Sequence, residues 1–237
     1  MQRLRTLSQS ELASYHENGY VIVPNIFPRE ECATINTEIE RLAADRTNPH
    51  GILHQLGMRS ELTRQICADE RLLALVEDLV HPGIAIYSAK MVPKVPGHSE
   101  VCHWHQDDTY YHQNAAAKTR LSVWLALQDS DAGNGGVHFI PGSHHWGQQA
   151  WEHREDGWCC LAIRDVTEAQ ISQAVCPQVA AGSVVVFSSL VWHYSDRNHS
   201  DRIRRSFIVS YQEATAVGGN GDQWTILRPA PGAPVTT

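Results

Sequence analysis

A succession of short apolar runs, at 84–92, 101–105, 121–127, 137–140, 184–187 and 206–211, limits what this chain can fold into. Each is rich in β-branched, aliphatic or aromatic residues and is bounded by Gly, Pro, Asn or Asp. In the third run Leu121, Val123, Leu125 and Leu127 alternate with Ser122, Trp124, Ala126 and Gln128, which is the period of a strand. Many short strands with frequent turns fit a sandwich or jelly roll. One helix is expected to interrupt them near 167–174, and the Pro-, Ala- and Gly-rich tail at 229–237 reads as loose.

The first 83 residues have a different texture. Ser8-x-x-Glu11 resembles a capping box, and Gly19 ends the helix it starts. Tyr20 to Val23 reads as a strand stopped by Pro24. Pro28 opens a second helix, whose Cys32, Ile35, Ile39 and Leu42 make one apolar face. A polar loop at 45–50 ends at Gly51. Helical spacing resumes through Leu62, Ile66, Leu72, Leu75, Val76 and Leu79 and stops at His81-Pro82-Gly83. These helices carry no clustered reactive groups and read as a buttress for a sheet. With 237 residues and 42% hydrophobic content, the chain reads as one domain: helical buttress 1–83, β core 84–213, tail 229–237.

The net charge of −7 argues against a nucleic-acid surface. No apolar run reaches the roughly 18–20 residues that cross a bilayer. The basic start, Met1 to Arg5, has no apolar stretch behind it, so a secretory signal is not expected and a cytoplasmic location is. The cysteines at 32, 67, 102, 159, 160 and 176 form no C-x-x-C pair. They read as reduced, partly buried thiols, with a disulfide pair left open and Cys159-Cys160 as a strand with one thiol facing in.

Chemistry concentrates in His103-Trp104-His105-Gln106-Asp107-Asp108. On an extended strand, His105 and Asp107 would point to the same side and offer one nitrogen and one oxygen to a metal ion. A second histidine would complete a two-His-one-carboxylate facial triad, which leaves the opposite face of Fe(II) open. The chain has 14 histidines. His199-x-Asp201 has the same form and His153-x-Glu155 nearly so, so the spacing alone does not single out a site. Another histidine, His193, follows the apolar run at 184–187. Ser195, Asn198, Ser200 and Arg202 follow, then Arg204 and Arg205 lead into the returning strand. Such a hairpin can bring Arg204 back beside His193, where a buried guanidinium needs an anion and its planar fork suits a carboxylate.

At this point the chain resembles the phytanoyl-CoA dioxygenase family of Fe(II)- and 2-oxoglutarate-dependent oxygenases. Four segments carry the resemblance, in the family's order. They are Lys94-x-Pro96-Gly97 leading into Trp104-His105-Gln106-Asp107; Asn134-Gly135-Gly136 running to Pro141-Gly142-Ser143-His144; Gly182 to Phe187 running to His193; and Asn198-x-Ser200 followed by Arg204-Arg205. The opening Asn18-Gly19-Tyr20-Val21-Ile22-Val23-Pro24 is also similar.

The resemblance implies a mainly β chain with flanking helices, a double-stranded β-helix with a cupin-like jelly roll. By motif, His105, Asp107 and His193 would hold the iron. Arg204, with Ser195 as helper, would bind the distal carboxylate of 2-oxoglutarate. Tyr110 or Tyr111 would line the cosubstrate; Tyr111 is assigned there and Tyr110 to the substrate side, with Lys90 as a further cosubstrate contact. From the residues themselves, His103 reads as a substrate-side residue or a plainly exposed one, Asp108 as a contact to a polar substrate group or an exposed carboxylate, and Trp151 and Trp158, with Trp146, as an aromatic substrate lid or a cover for the core.

The implied activity consumes O2 and 2-oxoglutarate, releases succinate and CO2, and hydroxylates a C–H bond of a small metabolite, with ascorbate as a stimulant. Halogenases related to this family have a small residue where Asp107 stands, so hydroxylation is expected over halogenation. Desaturation, epoxidation and cyclisation use the same oxidant. A non-catalytic metal- or 2-oxoglutarate-binding relative and a zinc hydrolase on the same three ligands are the other classes. No basic stretch suggests a CoA phosphate site.

Overall fold

The structure, a computed structural model, describes residues 4–44, 46–48, 50–111, 117–216 and 225–232. Part of the loop expected at 45–50 and most of the tail at 229–237 lie outside these residues.

Helix α1 (Gln9–Asn18) starts at the capping box: Ser8 Oγ accepts the Glu11 N–H at 3.2 Å, and the Glu11 carboxylate accepts the Ser8 N–H at 2.8 Å. It ends at Gly19, whose φ of +82° favours glycine. A Cβ there would also sit 2.6 Å from His144 Nδ1. Strand β1 (Tyr20–Val23) and helix α2 (Arg29–Ala43) follow, and Cys32, Ile35, Ile39 and Ala43 of α2 are buried. The helical spacing through 62–79 is two helices, α3 (Glu61–Cys67) and α4 (Glu70–Val76). Asp69 divides them by accepting the Arg71 N–H at 2.9 Å as the cap of α4. A two-residue strand β2 (Leu53–His54) precedes them.

The remaining elements are β3 (Ile84–Lys94), β4 (Cys102–His105), α5 (Asp107–Tyr111), β5 (Arg120–Ala126), β6 (Val137–Phe139), β7 (Trp151–His153), β8 (Leu161–Ile163), α6 (Glu168–Ile171), β9 (Val184–Ser188), β10 (His193–Ser195), β11 (Arg204–Gln212) and β12 (Thr225–Arg228). The large antiparallel sheet has the order β1-β9-β5-β11-β3-β12, with β2 on β3; the small sheet is β4-β10-β6, and β7 pairs with β8. One face of the large sheet packs on the helices: Leu121, Val123 and Leu125 of β5 share a cluster with Ile35, Ile39, Leu72 and Val76. Its other face meets the small sheet through Trp124, Ala126, Val185, Ile208 and Phe139. The fold is therefore a jelly roll with a helical layer on one side. Because both faces of β5 are covered, every residue of that strand is buried, the polar alternates included. Truncating Leu125 to Ala would cost about 2–5 kcal/mol.

Several sequence expectations are corrected. β3 continues through Pro93 to Lys94. Proline is tolerated there because β2 and β12 cover the outer edge of β3 only at 84–86 and 90–91, so the missing N–H leaves no described strand unpaired. The large sheet does not end at 213, since β12 pairs with the start of β3. The helix near 167–174 is only the four residues of α6. Two cysteines are not free thiols: Cys102 and Cys159 form a disulfide, and Cys32, Cys67, Cys160 and Cys176 are free. The two lie 57 positions apart in sequence, and a parallel bridge between their backbones brings the Cα atoms to 4.6 Å. Among the described residues, no helix is long and apolar enough to cross a membrane.

Candidate active site

His105 ends β4 and His193 begins β10, and the two are direct partners across the antiparallel pair. Their side chains therefore leave the sheet on one face, with ring centroids 4.0 Å apart. Asp107 is the first residue of α5, so the expectation of an extended His105-x-Asp107 segment is only half right. The chain turns into a helix after Gln106, and the carboxylate still reaches the imidazoles. His105, Asp107 and His193 each offer a ligand atom, all within 4.8 Å of one another, and all three residues are buried.

Each imidazole is held through its other nitrogen. His105 Nδ1 lies 2.7 Å from the His103 carbonyl oxygen, and His193 Nδ1 lies 3.0 Å from that of Val191. Carbonyls only accept, so each Nδ1 carries the proton and each Nε2 lone pair faces the cluster. Burial, and for His105 the neighbouring His193, push both imidazoles below their ordinary pKa, which keeps them neutral as a metal requires. Burial alone would raise the Asp107 carboxyl. Lys90, the two histidines and Ser122 outweigh that and hold it below the usual range. Ser122 Oγ donates to Asp107 Oδ2 at 2.6 Å, leaving Oδ1 for the cluster, 3.9 Å from His193 Nε2.

The triad opens into a cavity walled by Val92, Trp124, Val137, Phe187 and Ile208, and Arg204 also lines it. Arg204 is 1% exposed. One of its terminal nitrogens donates to the Val92 carbonyl and to Ser206 Oγ, both at 3.2 Å, and the other donates to the Gly135 carbonyl. Its Nε is buried without an acceptor, and among the described residues it has no carboxylate partner. Burial pulls its pKa down to about 9, so it stays a cation at neutral pH. Two nitrogens and one oxygen of a facial set, an apolar throat and an uncompensated buried cation together fit iron and a dicarboxylate cosubstrate.

Ser195 lines the same cavity, as does Lys90, which lies 3.3 Å from Asp107 Oδ1. The Tyr111 hydroxyl is set among Ser210 at 3.1 Å, Ser88 at 3.4 Å and Lys90 at 3.5 Å. The Tyr110 hydroxyl accepts the Leu161 N–H at 2.8 Å, with its ring edge-on to His105.

The other residues expected on the substrate side have partners within the protein. Asp108 is bound to Arg120 at 2.6 Å and Ser189 at 3.4 Å. The His103 side chain pairs with Asp156 at 3.0 Å, and only its carbonyl serves the triad. Trp151 lies 40% exposed on the β7–β8 pair, and the Trp158 ring lies 5.1 Å from Lys94 Nζ. Neither lines the triad cavity. Trp158 packs against the apolar cluster of Val92, Trp124, Phe187 and Ile208 that walls the cavity.

Sequence reasoning passed over Gln106, Ser122 and Ser143. Gln106 is fully buried; its amide donates to the carbonyls of Leu190 at 2.7 Å and Gly147 at 2.9 Å, and its oxygen accepts the Gln149 N–H at 2.8 Å. It ties both flanking loops to the segment between the ligands. The available signal was its place: a polar residue between two inward-pointing ligands must point away and be satisfied inside the protein.

The fold and the motifs have known counterparts. Phytanoyl-CoA dioxygenase domain-containing protein 1 of Mus musculus is 22% identical, covering 96% of this chain and 97% of its own length. The ectoine dioxygenase of Stutzerimonas stutzeri is 24% identical, covering 83% and 74% respectively. Among solved structures, the epimerase SnoN from nogalamycin biosynthesis, in complex with Fe3+, alpha-ketoglutarate and nogalamycin RO, superposes with a TM-score of 0.76 at 23% identity, over 96% of this chain and 91% of that one. EctD from S. alaskensis with 2-oxoglutarate and 5-hydroxyectoine gives 0.73 at 20% identity, over 90% and 78%. The model of the phytanoyl-CoA dioxygenase (PhyH) family matches residues 15–206, and the chain belongs to that family.

Proposed function

We propose that this chain is a single-domain hydroxylase in which His105, Asp107 and His193 hold Fe(II) and Arg204 anchors the distal carboxylate of 2-oxoglutarate. The observation that carries the reading is Arg204: a buried guanidinium with an unpartnered Nε, in the cavity that also opens onto the triad. When bound, iron and 2-oxoglutarate supply the oxidising chemistry, with O2 as oxidant and succinate and CO2 as products. The chain's own part is positional. The carbonyls of His103 and Val191 orient the two imidazoles, and Ser122 orients the carboxylate. Val92, Trp124 and Ile208 keep water from the path between Arg204 and the triad.

A carboxylate at position 107 favours hydroxylation over halide transfer. A small-metabolite substrate is supported by relatives named for ectoine and hypophosphite. A zinc hydrolase on the same ligands would leave Arg204 without a role.

The test is to add Fe(II) and then 2-oxoglutarate without oxygen and to follow the visible charge-transfer absorption of the chelate. Wild-type protein develops the band, His193→Ala does not, and Arg204→Met needs far more 2-oxoglutarate. Tight zinc binding with no band, or activity that persists without oxygen and 2-oxoglutarate, would overturn the reading.

A further inference from the structure

Asp107 divides its two oxygens between different partners. Oδ2 accepts from Ser122, while Oδ1, the oxygen turned toward the histidines, lies 3.3 Å from the ammonium of Lys90. Lys90 is placed there by register: it stands on β3 opposite Ile208 of β11, with His54 of β2 on its other side. Its side chain keeps 21% exposure, and its Nζ is also 3.5 Å from the Tyr111 hydroxyl. A positive charge thus shares one carboxylate oxygen with the place where a metal would be held, in the same cavity as Arg204.

Like charges a few ångströms apart in a poorly hydrated site repel, and an ammonium on a carboxylate oxygen weakens that oxygen as a donor. A dicarboxylate entering the cavity reverses the sign, because its metal-proximal carboxylate is attracted by both cations. We propose that Lys90 is a positioning residue that couples the two ligands. It weakens the binding of bare divalent metal and strengthens the binding of 2-oxoglutarate to the metal-loaded protein, so that the site fills as a pair. Coupling of this kind is reciprocal: whatever factor the metal contributes to cosubstrate affinity, the cosubstrate returns to the metal. The inference rests on the assignment of the triad as the metal site.

The test uses Lys90→Met, which keeps the length and removes the charge, and Lys90→Arg, which keeps the charge. Mn(II) is titrated alone, and 2-oxoglutarate is titrated into Mn(II)-loaded protein, both by calorimetry. In Lys90→Met the Mn(II) dissociation constant is expected to fall by about ten-fold and that of 2-oxoglutarate to rise by about ten-fold, each being 1.4 kcal/mol. Lys90→Arg should keep the wild-type pattern. Constants that stay within two-fold of wild type, or that weaken together as a merely structural role would make them, overturn the proposal. Wild-type protein that binds no Mn(II) removes the triad assignment and this proposal with it.

Discussion

Ser143 Oγ accepts the main-chain N–H of Trp192 at 2.9 Å and donates to the Ile140 carbonyl at 2.6 Å. The Pro141-Gly142-Ser143-His144 turn is thereby fastened to the residue that precedes His193. One hydroxyl thus ties this segment to the strand that carries His193. Ser143→Ala would leave a buried N–H without a partner, at a cost of about 1–3 kcal/mol. Urea unfolding should show that loss, and Mn(II) titration should show weaker binding because His193 sits on the loosened segment. Unchanged values in both would make the hydroxyl incidental.

Arg204→Met should separate cosubstrate from metal. Removing one member of a buried charge pair costs about 2–5 kcal/mol, so the dissociation constant of 2-oxoglutarate should rise by about 100-fold. Mn(II) affinity should change little, since the hydrogen bonds of Arg204 go to Val92, Ser206 and Gly135 and not to the ligands. Arg204→Lys should recover only part of the loss, because an ammonium lacks the two-pronged geometry. A fall in Mn(II) affinity as large as the fall in 2-oxoglutarate affinity would place Arg204 at the metal instead.

Lys94 makes stability depend on pH. It is fully buried beside Arg204 in the β3–β11 pair, and burial, then the Arg204 charge, pull its pKa from 10.5 down to about 6. Between those values the unfolded chain holds a proton that the folded chain lacks. Stability therefore rises with pH across that window, by about 1.4 kcal/mol per unit, and falls as pH drops toward 6. Urea unfolding at pH 7 and pH 8.5 should show the rise in wild type and a flatter response in Lys94→Met. Parallel slopes in the two proteins would mean that Lys94 stays charged, held by the Glu100 and Ser195 carbonyls.

The Cys102–Cys159 bond joins β4, the strand that ends at His105, to the segment that follows Trp158. Thiol titration in denaturant without reductant should find four groups, those of Cys32, Cys67, Cys160 and Cys176, and six after reduction. Cys102→Ser should lower stability by about 2–4 kcal/mol. Six thiols before reduction would show that the pair is not bonded.

The sequence carried most of this fold because its signals are local. The Ser8 box, the Gly19 stop and the alternation through β5 are each decided within a few residues, and each stands where expected. Failures came where distant segments decide. Nothing near Pro93 announces an uncovered strand edge, nothing near 225–228 announces a partner at Ile84, and Cys102 and Cys159 meet only once the chain has returned. The residues of the triad were legible through motif order, but their support was not. Ser122 and Gln106 look like ordinary polar alternates until the fold shows what they touch. The partner of Asp108 was hidden for the same reason, since only the fold reveals Arg120 behind it.

Both imidazoles take their orientation from main-chain oxygens, of residues 103 and 191, and not from side chains. No substitution at either position deletes the acceptor. The aim of the centre is thus inherited from the course of the backbone: the side chain at 191 answers to the core in which it is buried, and the one at 103 to its partner Asp156, while neither sets the tilt of a ring.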